Sequence, residues 1–259
     1  MHGTIDGFSY GLITPVAGYI MACLGSALGL RCTVRSVRSG RKMPGWLLLG
    51  AVSIGCGIWT MHFIGMLGFT VRETGIDYDG PLTLASLLFA VVSVGVGVGA
   101  VAYRGTRPPV LLTAGLFTGL GVAGMHYTGM AALRMDGTLE YDLPTVAASV
   151  TIAVVAATAA LWAAVSVRGL SAAIGASLVM GVAVTGMHYT GMAALSVRLH
   201  THVAEPAAAG SPATVVLPML VAPLVVLIVA GAIVMFDPLL ILGDDEADIE
   251  RRPRSAVLR

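Results

Sequence analysis

Three stretches of this 259-residue chain decide its fold: GIWTMHFIGMLGF at 57–69, GVAGMHYTGMAAL at 121–133 and GVAVTGMHYTGMAAL at 181–195. Each ends a long apolar run, and each carries the same core, Met-His-aromatic-x-Gly-Met. Self-similarity of this kind marks a repeat architecture, and missing it would misread the whole fold. An ionisable group inside an apolar span is costly and is functional by default. The three histidines, His62, His126 and His188, are therefore read together.

Working outward, 56% of the residues are hydrophobic, only 11% are charged, and the mean hydropathy is +0.87. A soluble domain of this size carries roughly 25% charged residues. The deficit makes this an integral-membrane chain. A span needs about 20 mostly apolar residues, and seven such stretches are predicted: 8–30, 45–69, 82–103, 110–133, 145–167, 170–195 and 214–236. Proline precedes five of them, at Pro44, Pro81, Pro109, Pro144 and Pro212, where its missing N–H costs least. Pro15, Pro218 and Pro223 fall inside spans and predict kinks. Gly25…Gly29 and Gly115…Gly119 permit close helix contact. Cys23, Cys32 and Cys56 have no framework spacing and read as small buried apolar residues. The N-terminus lacks a basic region, and the first apolar run is long enough to span, so no cleavable leader is expected.

Basic residues orient the chain. Arg31, Arg35, Arg38, Arg41 and Lys42 follow the first span, Arg104 and Arg107 the third, and Arg168 the fifth. The alternate loops are acidic or mixed, with Glu73, Asp77 and Asp79, then Asp136, Glu140 and Asp142. The positive-inside rule predicts an outside N-terminus and a cytoplasmic C-terminus. The motifs fall in spans two, four and six, so all three point the same way and end at the outer side. Arg72, Arg134 and Arg198 follow them, and Tyr78-Asp79 matches Tyr141-Asp142 in the first two outer loops. The third loop carries His200, His202 and Glu205 instead. The acidic loop residues and the loop histidines His200 and His202 are expected to be solvated. Parallel repeats about an axis along the membrane normal would bring the motifs to one depth.

Within each motif the histidine and the second methionine are four apart and share a helix face: His62 and Met66, His126 and Met130, His188 and Met192. Met61, Met125 and Met187 lie about 100° around and flank that face. Gly65, Gly129 and Gly191 leave room beside each histidine for another helix or a bound species. Imidazole with thioether, and neither thiolate nor carboxylate, points to copper; zinc would more often draw on thiolates or carboxylates. The residues also leave open a packing role, a haem held by axial His or Met, and a copper conduit drawing on Cys56, Cys23 and Met180. No carboxylate pair or His-Glu motif lies inside the spans, so no enzymatic centre is expected.

Met125-His126-Tyr127-Thr128 and Met187-His188-Tyr189-Thr190, with Met61-His62-Phe63-Ile64 as a variant, resemble the MHYT domain of bacterial membrane signalling proteins. The resemblance covers nearly the whole chain, about residues 8–236. It implies an outer-leaflet copper site that senses oxygen, carbon monoxide or nitric oxide. The implied ligands are His62, His126 and His188, with Met61, Met66, Met125, Met130, Met187 and Met192 as candidates. Phe63 and Ile64 lack the hydroxyls of the other two copies, so no uniform ligand role falls to Tyr or Thr. Family members are often fused to cyclase, phosphodiesterase or DNA-binding output domains, and no such domain is expected within this chain.

The resulting expectation is an all-α bundle of seven transmembrane helices, three parallel two-helix repeats plus one. It forms a domain over 1–236 with a charged cytoplasmic tail over 237–259, and sits in a bacterial inner membrane. Its partners would be the lipid bilayer, copper, a diatomic gas and a separate cytoplasmic or membrane signalling protein docking on the 31–42 loop or the tail; no nucleic acid is implied. A copper transporter and a haem or redox protein are the alternatives.

Overall fold

The computed structural model describes residues 2–38, 43–166, 169–200 and 212–237. Among them are seven helices long and apolar enough to cross a membrane: α1 (Ile13–Arg38), α2 (Pro44–Leu67), α3 (Gly80–Arg104), α4 (Pro108–Ala131), α5 (Leu143–Ser166), α6 (Leu170–Ala193) and α7 (Pro212–Met235). Six lie within about two residues of the expected spans, the scatter normal at helix ends. The first is displaced. It starts at Ile13 rather than residue 8 and runs on to Arg38, so Arg31, Arg35 and Arg38 are helical rather than loop residues. The cause lies upstream, where Ile5–Asp6 forms a strand, the Ser9 amide donates to the Gly68 carbonyl, and Gly11 turns the chain at φ +59°. Pro15 consequently sits in the first turn of α1, where an N–H has no intrahelical acceptor and no kink is required. Pro218 and Pro223 do lie inside α7. Arg41, Lys42, Arg168, His202, Glu205 and the tail beyond Asp237 lie outside the described residues.

The expected helical bundle stands, and among the described residues short strands add a cap to it. Six short strands gather at one end of the bundle: β1 (Ile5–Asp6), β2 (Thr70–Val71), β3 (Asp77–Tyr78), β4 (Leu133–Arg134), β5 (Gly137–Tyr141) and β6 (Leu195–Leu199). They pair antiparallel as β1–β2, β3–β4 and β5–β6. The repeat unit is therefore strand–helix–helix–strand rather than a helix pair, and the two strands of each unit close on each other. A bridge between His2 and Arg198, with the Gly3 amide donating to the Val197 carbonyl, joins the first unit to the third. Four of the strands have two residues, too short for an alternating pattern, which takes four to eight; β6, Leu-Ser-Val-Arg-Leu, is long enough and alternates buried and exposed at its first four positions.

The Tyr-Asp pairs belong to this cap and are not simply solvated charges. Asp79 N-caps α3, accepting from the Leu82 amide, and Arg134 donates to its other carboxylate oxygen at 2.6 Å. Asp142 accepts from the amide and hydroxyl of Thr145 at the head of α5. Arg198 pairs with Glu140 at 2.9 Å. His200 is exposed beside Asp136, as expected for a solvated loop histidine.

The hairpins α1–α2, α3–α4 and α5–α6 close into a ring through α2–α3, α4–α5 and α1–α6, with α7 outside against α1 and α2. Glycines set the approach at several seams. A Cβ on Gly25 would lie 2.6 Å from the Ser53 carbonyl oxygen and 2.7 Å from the Gly57 Cα, and one on Gly119 would lie 2.4 Å from the Val154 Cα. Cys32 and Cys56 are buried in a side cluster with Leu28, Leu227 and Ala230, and among the described residues all three cysteines are free thiols.

Two outcomes follow from this packing. Gly57→Val forces α1 and α2 apart and costs about 1–3 kcal/mol, whereas Gly99→Val, with nothing within 4 Å of its Cβ, leaves the thermal midpoint in detergent unchanged. The second concerns pH. The hydrogen bond from Arg134 and then that from Leu82 hold Asp79 below the usual carboxylate range, and Thr145 does the same for Asp142. A depressed folded-state value contributes stability above the ordinary value and loses it as pH falls through the depressed one. The thermal midpoint of the wild type therefore declines below about pH 4, and an Asp79→Asn/Asp142→Asn variant shows a flatter decline from a lower start.

Candidate metal centre

The strand end of the ring is where α2, α4 and α6 converge, and their motifs meet there. His62, His126 and His188 are each at most 1% exposed. Their Nδ1 atoms form a nearly regular triangle: 3.1 Å from His62 to His188, 3.2 Å from His126 to His62 and 3.3 Å from His188 to His126. The rings stand nearly perpendicular to one another, at 82°, 86° and 85°, like three blades about one axis. They are the one cluster of three or more His, Cys, Asp or Glu side chains among the described residues with metal-ligand proximity.

The motif glycines explain how three rings fit. A Cβ on Gly129 would lie 2.5 Å from Nε2 of His62, one on Gly191 2.5 Å from Nε2 of His126, and one on Gly65 2.6 Å from Nε2 of His188. Each histidine thus lies across the glycine of the next motif, from α2 to α4 to α6 and back to α2. The room that glycine leaves is filled by a neighbouring imidazole. Position Gly in the motif is a condition for position His in the preceding one.

A second ring surrounds the first. Phe63 packs on Tyr78 with centroids 5.9 Å apart, Tyr127 on Tyr141 at 5.8 Å, and Tyr189 on Phe8 at 5.5 Å. The motif aromatic of each unit contacts the cap of the following unit, so what the position requires is a ring. Phe63 meets that requirement without a hydroxyl. Tyr127 uses its hydroxyl locally, bonded to Ser149 Oγ at 2.6 Å. Burial pushes the Tyr78 phenol up, and burial followed by the neighbouring Tyr127 pushes Tyr141 up to about 12, so both stay protonated. Sequence reasoning missed Phe8, Tyr78 and Tyr141 as part of this assembly. The Tyr78-Asp79 and Tyr141-Asp142 match was the available signal.

Met61, Met66, Met125, Met130 and Met187 are buried in the same core, with Met192 half-buried against it. Met61 packs on Gly18 of α1, whose Cβ would sit 3.3 Å from Met61 Cγ. Cys56 belongs to the side cluster instead.

The triad fits a metal ion on two observations. An equilateral triangle with 3.2 Å edges, the mean of the three distances, has its centre about 1.8 Å from each corner, close to the ~2.0 Å of a metal–imidazole bond. The second is a proton count. Only one N–H can be aimed into so small a triangle, so at least two Nδ1 atoms present lone pairs to it. Among the described residues, all three Nε2 atoms are buried without a hydrogen-bond partner, so no other polar group there engages the rings. A haem does not fit, since a macrocycle cannot enter between imidazoles whose Nδ1 atoms are in mutual contact.

Comparison with known proteins agrees with the motifs. The family model MHYT, a bacterial signalling protein N-terminal repeat, matches residues 55–114 and 119–177. Similar proteins include the bifunctional diguanylate cyclase/cyclic di-GMP phosphodiesterase MucR of Pseudomonas aeruginosa, 43% identical over 72% of this chain and 28% of that protein. The cyclic di-GMP phosphodiesterase NbdA of the same organism is 37% identical over 74% of this chain and 26% of its own length. The signaling protein YkoW of Bacillus subtilis is 30% identical over 72% and 24%. The chain thus spans about a quarter of the length of these relatives. No solved structure matches. With its membrane-length helices, the repeated motif and these matches, the chain belongs to the MHYT family of bacterial membrane signalling proteins.

Proposed function

We propose that this chain is the sensory membrane module of a signalling system, with one copper ion held by Nδ1 of His62, His126 and His188. The observation that carries the reading is the convergence of three Nδ1 atoms on one point inside an apolar bundle. Three neutral nitrogen donors, with methionines in the same buried core and no carboxylate or thiolate in the cluster, suit cuprous copper better than zinc or magnesium. Bound there, copper would supply a redox-active centre with coordination open to oxygen, carbon monoxide or nitric oxide. The protein's part is to hold the rings rigidly, exclude water and couple their spacing to the helices that carry them.

The proposal includes the orientation read from the basic loops, with the motif end at the outer face of the inner membrane and the C-terminus in the cytoplasm. The signal then has a direct route. His62 lies on α2, against which α7 packs, and Arg35 on α1 pairs with Asp237 just beyond α7 at 3.0 Å. A change in ring spacing at the triad would shift α2 against α7 and alter how the chain leaves the membrane toward an output partner. The relatives named as a cyclase and phosphodiesterases make cyclic di-GMP signalling the natural output class. The reading assigns this segment binding and signalling rather than catalysis. A copper conduit is less favoured, because Cys56 sits in a separate cluster and the triad is enclosed by the helices that form it.

Metal analysis of the purified protein tests the centre directly. Wild type is expected to carry about one copper per chain, and a His62→Ala/His126→Ala/His188→Ala variant none; equal copper in both overturns the proposal. A subtler test uses the glycine ring. Gly129→Ala displaces His62 by steric contact alone and lowers copper affinity about 10–100-fold, the range for disturbed ligand-positioning groups, in a chelator-competition titration. Gly124→Ala, whose Cβ has only Phe89 at 3.8 Å, leaves affinity unchanged.

A further inference from the structure

Below the triad, away from the strand end, the bundle encloses a chamber of about 50 Å³. Its walls come from all six ring helices and include Ile58, Val122, Ala157, Leu161, Val184 and Met187. Met187, one of the wall residues, directly precedes His188 in the chain. One side of the wall is formed by Ala156 and Ala160 of α5 and Met180 and Ala183 of α6, all half-buried, whereas the remaining wall residues are buried. These residues set the mouth between α5 and α6, facing the hydrocarbon of the bilayer.

The chamber exists because the third hairpin is built differently from the first. α1 and α2 meet backbone to backbone at Gly25 and Gly57. α5 has no glycine, and of the glycines of α6, Gly181 faces Tyr19 and Cys23 of α1, Gly191 faces His126, and Gly175 and Gly186 meet nothing within 4 Å. No glycine therefore draws α5 and α6 together, and the alanine methyls of α5 are too small to fill the space that remains.

We propose that this chamber is a binding site for one small uncharged molecule of low polarity, a diatomic gas being the natural size, which enters from the lipid between α5 and α6. The lining excludes the other small candidate, water. A buried water needs two to four polar partners. The wall offers only the hydroxyls of Ser26 and Thr118, and the Thr118 hydroxyl already donates to the Ser93 carbonyl at 3.3 Å. Apolar cavities of this kind stay dry and take up xenon. The binding site stands on its own geometry; only the onward delivery of its occupant to a metal rests on the function proposed above.

Xenon is the probe. Crystals of the full chain pressurised with xenon should show one anomalous peak between Ala157, Val122 and Val184. Ala157→Leu, which fills the chamber, should lower its occupancy at least fivefold with copper content unchanged. Val184→Ala, which enlarges the chamber and lies outside the triad, should retain or raise it. A wild-type chamber without a peak, a peak surviving in Ala157→Leu, or an acyl chain running in between α5 and α6 would each overturn the proposal. Should Ala157→Leu fail to fold, the wild-type and Val184→Ala measurements decide alone. A xenon peak in protein that binds no copper would overturn the metal reading and leave the chamber standing; copper without xenon would do the reverse.

Discussion

Three imidazoles must share one point in an apolar interior, and much of the remaining structure answers to that constraint. Each ring needs a neighbouring helix backbone close enough to hold it in place, and a side chain on that backbone would collide with it. The solution is cyclic: His62 over Gly129, His126 over Gly191 and His188 over Gly65. No helix of the three can be displaced without unseating a ring on its neighbour. The constraint also accounts for the repeat itself, because a three-bladed arrangement is most simply made by three similar units.

The outer assembly follows the same cyclic logic one layer further out. Phe63, Tyr127 and Tyr189 reach into the cap of the next unit, while each unit closes its own two strands. Contacts within and between units thus alternate around the ring. Asp79 and Asp142 tie the cap to the helices by satisfying amides that a helix start leaves without acceptors. The ordering of these loops matters because an ionisable cluster beneath them is fully shielded from water.

The repeats are similar without being equal, and their differences carry information. Only the first unit has α7 packed on its inner helix, which makes α2 the most buried of the seven. Only the third lacks a glycine seam within its hairpin, and the chamber lies against it. Duplication supplied the centre; divergence gave one unit a neighbour and another a cavity.

The membrane class, the helices from α2 to α7 to within about two residues, and the three histidines were legible in the sequence because hydropathy and spacing act locally along the chain. The Met-His-aromatic-x-Gly-Met core marked the residues that converge at the strand end, and the departure at Phe63 and Ile64 showed that no hydroxyl is common to the three copies. What the linear chain could not express was which glycine serves which histidine, since those pairs are 60 or more residues apart. The late start of α1 and most of the strand cap were hidden, because two-residue strands have no periodicity and depend on partners elsewhere in the chain; only the alternating Leu195–Leu199 carried a local strand signal. Sequence by itself determined that a bilayer protein carries three matched histidines. Tertiary structure alone decided that their nitrogens face one another within hydrogen-bonding distance, because that convergence depends on helix contacts that no local pattern records.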